Sequence, residues 1–87
     1  MGDRDGRLAA LGNLGVAHRN LGNPAKAVSF HELALRFARE IGDRREEANC
    51  LGNLGTCFRH LGELEKALIC RQQRLEISNE IGDIVGQ

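Results

Sequence analysis

The stretch LGNLG stands at Leu11–Gly15 and again, letter for letter, at Leu51–Gly55. Both copies lie in segments whose apolar residues follow helical spacing. A glycine inside a helix costs about 1 kcal/mol relative to alanine. Two glycines per copy therefore need a reason, and that reason must recur with the motif.

The copies are the centre of a longer internal repeat. With residues 2–41 written over residues 42–81, 16 of 40 positions are identical without a gap. GDR at Gly2–Arg4 falls over Gly42–Arg44, and Arg19 falls over Arg59. Leu21-Gly22 meets Leu61-Gly62, Lys26-Ala27 meets Lys66-Ala67, and Leu35, Glu40 and Ile41 meet Leu75, Glu80 and Ile81. A third copy opens with Gly82-Asp83 and runs to Gln87. Repetition at this period is the mark of a stacked architecture in which each unit packs on the next in the same way. A closed four-helix bundle would not require it.

Each repeat reads as two helices. Leu8, Leu11, Leu14 and Leu21 recur at helical intervals in the first, and Gly22 is placed to end it. Asn23-Pro24 restarts the chain as an N-cap followed by proline at the first helical position. Ala27, Val28, Phe30, Ala34, Leu35, Phe37, Ala38 and Ile41 mark the second helix, which Gly42 ends. Asp43 caps the next, and Glu46 three residues later suggests a capping box. The second repeat runs the same way to Ile81. The expected fold is all-α: four helices of roughly 16–18 residues plus the start of a fifth, in two antiparallel hairpins of an α-solenoid. It is one domain over 1–87, with repeats at 2–41 and 42–81 and a truncated third at 82–87.

Composition narrows the function. Twelve basic residues balance twelve acidic ones, which argues against a nucleic-acid footprint and against a polybasic membrane patch. No apolar run reaches the roughly 20 residues that span a bilayer, and MGDRDGR lacks the apolar core of a signal peptide. Cys50, Cys57 and Cys70 form no paired motif and read as packing thiols in a reducing, cytoplasmic setting.

Nothing in the sequence assembles a catalytic constellation. Ser29, Thr56 and Ser78 have no His and acid at recognisable spacing, so no enzyme is expected. Cys57 and His60, at i and i+3, suggest half a metal site. A structural zinc site needs four ligands in paired spacings, and His18 and His31 lie on other helices. No metal and no cofactor are expected. His18 aligns with Phe58 and reads as a packing residue.

The repeat resembles the tetratricopeptide family. Leu11, Leu14-Gly15, Gly22 and Ala27 match its pattern in the first repeat; Leu51, Leu54-Gly55, Gly62 and Ala67 match it in the second. The period of 40, and LEISNEIGD at Leu75–Asp83, are most similar to the extended repeats of Leu-Gly-Asn adaptor proteins, which bind G-protein and spindle-orientation partners. Kinesin light chains are more distant. The resemblance implies a protein-binding scaffold in which the first helix of each repeat lines a groove. The implied groove residues are Asn13, Val16, Arg19 and Asn20, repeated as Asn53, Thr56, Arg59 and His60, with Ala9 and Asn49 alongside. Helical spacing independently puts 12, 16, 19 and 20 on one face.

The motif's glycines then divide. Gly15 and Gly55 are expected where the helices of a hairpin cross closely, and Gly12 and Gly52 on the groove face, open to a peptide backbone. Leu11, Leu14, Leu51 and Leu54 supply the buried stripe. Asn amides pair with peptide groups and Arg forks onto carboxylates, so the expected ligand is an extended, mildly acidic peptide. The alternative is self-association by stacking or domain swap through uncovered terminal helices. One departure stands out: the inner face of the second helix carries His31 and Ala34 in the first repeat but Arg71 and Arg74 in the second. Two arginines on a packed stripe need acidic partners or water.

Overall fold

The computed structural model describes residues 2–85, with side chains for 6–82. Four helices follow in order: α1 Gly2–Asn20, α2 Pro24–Ile41, α3 Arg44–His60 and α4 Leu64–Val85. No strand occurs among the described residues. Consecutive helices pack on one another, and α3 also reaches α1.

The turns are built as the punctuation residues dictate. Gly42 adopts φ +74°, the left-handed region that a side chain resists. This lets its N–H reach Arg39 O at 3.2 Å and lets the Asp43 N–H reach Ala38 O at 2.9 Å. These are the paired bonds that close off helix-end carbonyls. The same pair recurs at Gly22-Asn23 and at Gly62-Glu63. Gly42→Ala is expected to lower stability by about 1–2 kcal/mol, the cost of a Cβ in that conformation. A urea midpoint unchanged from wild type would contradict it.

Asn23 caps α2 by accepting from Lys26 N at 3.3 Å, with Pro24 at its first position. Asp43 caps α3 by accepting from Glu46 N at 3.1 Å. Only that half of the expected capping box forms. The Asp43 N–H is already bonded to Ala38 O, so the Glu46 carboxylate accepts from Asn49 Nδ2 instead.

Two further expectations change. Gly82 does not end α4 as Gly42 ends α2; the helix continues through it to Val85. Positive φ occurs at Gly22, Gly42 and Gly62 among the described residues, and Gly82 keeps helical backbone. The expected start of a fifth helix is thus absorbed into α4, and residues 86–87 lie outside the described residues. The leucine stripe is also unequal: Leu54 is 2% exposed, but Leu14 is 43% exposed. Leu54 sits on a helix that packs against both α2 and α4, whereas α1 packs mainly on α2.

The core runs along α3. On one side Leu51, Leu54 and Phe58 cluster with Cys70 and Ile77 of α4, and Val28 of α2 joins them. On the other, Cys50 packs with Leu8 of α1 and Ala34 and Ala38 of α2. Buried Glu47 accepts from Arg39 Nε and Arg44 Nη1, each at 3.0 Å, and Arg44 also pairs with Glu80. This chain of charges ties α2, α3 and α4 at one end of the stack. His18 stacks on Phe30 with centroids 5.3 Å apart, as a packing residue would.

Candidate functional site

Between α3 and α4 lies an open cleft of about 510 Å³. Leu51, Gly52 and Gly55 of α3 and Ala67 of α4 form its floor, and Leu64 and Leu68 form an apolar wall. Arg59, Arg71 and Arg74 stand around it. No carboxylate lines it, and among the described residues none of the three arginines forms an ion pair. A second depression, between α2 and α4, holds Glu32 and Glu63 beside Lys66, so it carries both signs of charge.

The internal repeat explains why the first cleft is open. Its lining residues Leu51, Gly55, Arg59, Ala67, Leu68, Arg71 and Arg74 correspond to Leu11, Gly15, Arg19, Ala27, Val28, His31 and Ala34. In the first repeat that face lies under α3. His31 is 0% exposed, Ala34 packs against Cys50, and Val28 packs against the α3 core. Leu68, in the place of Val28, is 63% exposed, and Arg71 and Arg74 are open to solvent.

The expected site residues therefore divide. Gly52, Gly55, Thr56 and Arg59 come together in the cleft. Gly15, Val16 and Arg19 do not join them; they belong to the covered counterpart and are buried or half-buried. Asn13, Asn20 and His60 are exposed and Asn53 is half-buried, none of them lining the cleft. The Thr56 hydroxyl donates to Gly52 O at 3.1 Å and is occupied by its own helix. Leu64, Leu68, Arg71 and Arg74 were not expected as site residues. The two arginines on a packed stripe were the available signal.

The glycines also differ from one another. A Cβ on Gly15 would sit 2.5 Å from His31 Cε1 and Nε2, so this position is filled to contact. A Cβ on Gly55 would find Ala67 O and Cys70 Cβ at an ordinary 3.7 Å, so the helices there do not require glycine. At Gly52 a Cβ would meet Arg74 Cδ at an ordinary 3.5 Å, and beside Gly12 nothing lies within 4 Å.

Titration chemistry is quiet. Burial pushes the Cys50 thiol up to about 11, with Glu46, Glu47 and Asp43 adding to it. Burial also raises Cys57, partly opposed by the Arg19 charge, and burial followed by Glu32 raises Cys70. These are poor nucleophiles. Cys57 is buried while His60 is exposed, and among the described residues no group of three His, Cys, Asp or Glu could hold a metal ion.

Residues 6–80 match the family model described as tetratricopeptide repeat. The chain belongs to the tetratricopeptide repeat family. No curated protein matches it. Tetratricopeptide repeats generally mediate protein–protein interaction and are generally non-catalytic modules. Among the described residues no helix is long and apolar enough to cross a membrane. Here α3, the first helix of the second repeat, packs on the first hairpin, and the α3/α4 cleft is the corresponding face of the second hairpin.

Proposed function

We propose that this chain is a non-catalytic protein-interaction module that binds a mildly acidic peptide segment in the α3/α4 cleft. The observation that carries it is the apolar floor ringed by Arg59, Arg71 and Arg74 with no carboxylate of the chain among them. Apolar area supplies affinity, and guanidiniums select a carboxylate-bearing partner and steer it in.

Selection of random 12-residue peptides on the immobilised chain tests this. Asp- and Glu-rich apolar sequences are expected to be enriched. Their binding is expected to weaken at least tenfold in Arg59→Glu/Arg71→Glu/Arg74→Glu and to fall with added salt. Charge-blind selection, or binding indifferent to the triple variant, would overturn the proposal.

A second reading, self-association, is favoured by Leu64 and Leu75, 61% and 47% exposed on α4, with Leu14 and Leu21 exposed on α1. Sedimentation of the chain from micromolar to millimolar concentration decides it; a single monomer throughout excludes it.

A further inference from the structure

Two polar side chains are buried among the described residues, and the fold provides for them differently. Glu47 accepts from Arg39 and from Arg44. His31 is fully buried, and among the described residues neither ring nitrogen has a hydrogen-bond partner. A neutral imidazole can be held this way at a cost. An imidazolium without a counter-charge cannot.

The groups around the ring sharpen that difference. Gly15 of α1 leaves the space the ring fills, since a Cβ there would sit 2.5 Å from Cε1 and Nε2. The same helix brings the Arg19 charge, which acts both on His31 and on the Cys57 thiol of α3. No acid answers it. From Gly6 to Asn20, α1 has only Arg7, His18 and Arg19 among titratable groups; Arg7 lies over Phe37 and His18 is stacked on Phe30. On α3 the acids Glu46 and Glu47 are in the first turn, bonded to Asn49, Arg39 and Arg44. Arg59 and His60, in its last turn, are exposed and bring no negative charge. On α2 itself Glu32 is exposed, and its charge acts on Cys70 of α4. A proton on His31 thus sets two cations against each other across the α1/α2 contact.

We propose that His31 is an acid-operated latch: its protonation releases α1 from α2 and uncovers Cys50, while the packing around Cys70 stays closed. Once α1 has moved away, the ring takes up a proton near its ordinary value of about 6.5. The closed contact resists the proton through burial and Arg19. The open state then binds more protons, so its population rises as pH falls below about 6.5. For one histidine the gain between pH 7.5 and 5.5 is up to about tenfold.

Two cysteines report on the two sides of the molecule. They are hidden alike, Cys50 at 5% and Cys70 at 7% exposure. Cys50 clusters with Leu8 of α1 and with Ala34 and Ala38 of α2. Cys70 clusters with residues of α2, α3 and α4, and with none of α1 among the described residues.

The test is labelling of the full chain with dithiodipyridine, whose disulfide the thiol attacks to form a mixed disulfide and release thiopyridone. Mass spectrometry assigns the labelled cysteine, and each rate is divided by that of the same cysteine in the urea-unfolded chain at the same pH. Cys50 labelling is expected to rise by up to about tenfold from pH 7.5 to 5.5, with Cys70 nearly unchanged. His31→Leu is expected to flatten the rise. Arg19→Gln, which keeps the ring, is expected to shrink it, because the closed state then resists the proton less. A flat Cys50 rate in the parent chain would overturn the proposal. So would a rise that persists in His31→Leu. Cys50 and Cys70 rising together would overturn it too, since the whole fold would then be opening rather than α1.

Discussion

Gly15→Ala is expected to destabilise this protein, and Gly55→Ala, the same substitution one repeat on, to stabilise it. At Gly15 the new methyl meets the His31 ring at 2.5 Å, well inside van der Waals contact. The ring is fully buried and cannot swing into solvent. Overpacking of this kind costs about 1–3 kcal/mol, while exchanging a helical glycine for alanine returns about 1 kcal/mol. The net is a loss of up to about 2 kcal/mol, which for a domain this small lowers the melting temperature by roughly 4–8 °C per kcal/mol. At Gly55 the methyl enters ordinary contact at 3.7 Å, so the propensity gain, up to about 1 kcal/mol, stands nearly alone. Thermal unfolding followed by circular dichroism reads both. Shifts of the same sign would mean that the two copies of LGNLG are packed alike. In a His31→Ala background the penalty of Gly15→Ala is expected to shrink, because the two positions then no longer compete for one space.

This contrast marks what the sequence could and could not say. The repeat and its punctuation placed all four helices, because Gly22, Gly42, Gly62, Asn23-Pro24 and Asp43 act locally and carry their geometry with them. Position within the stack is not local. Identical pentapeptides meet His31 in one repeat and Cys70 with Ala67 in the other, because the second helices differ where the first helices agree. Identical leucines at 14 and 54 are exposed in one case and enclosed in the other. The groove reading assumed that both repeats present equivalent faces, yet α3 covers one and leaves the other open. Arg71 and Arg74 were legible as misfits in a packed stripe. Their meaning as the rim of a cleft required knowing which hairpin face α3 covers.

Replacing His31 with leucine is expected to raise stability by about 1–3 kcal/mol near neutral pH and to remove an acid sensitivity. His31 is fully buried, and among the described residues neither ring nitrogen has a hydrogen-bond partner. Leaving a buried polar group unpaired costs about 1–3 kcal/mol, whereas an apolar group of similar size is neutral or stabilising. Burial lowers the pKa of this histidine below its usual 6.5, and the Arg19 charge lowers it further. The ring is therefore neutral in the folded chain, while the unfolded chain takes up a proton near pH 6.5. The unfolded state then binds more protons, so stability falls as pH drops from about 6.5 toward the depressed folded value. Above that window the histidine contributes no pH dependence. Urea unfolding at pH 7.5 and 5.5 measures both effects: wild type should lose stability between the two, and His31→Leu should lose less. If the slope survives in His31→Leu, or the variant is the less stable protein at pH 7.5, the ring must be making interactions that offset its unpaired nitrogens. The fit of the imidazole edge against Gly15 would then be where to look, since that contact is shaped to a flat ring and leucine cannot reproduce it.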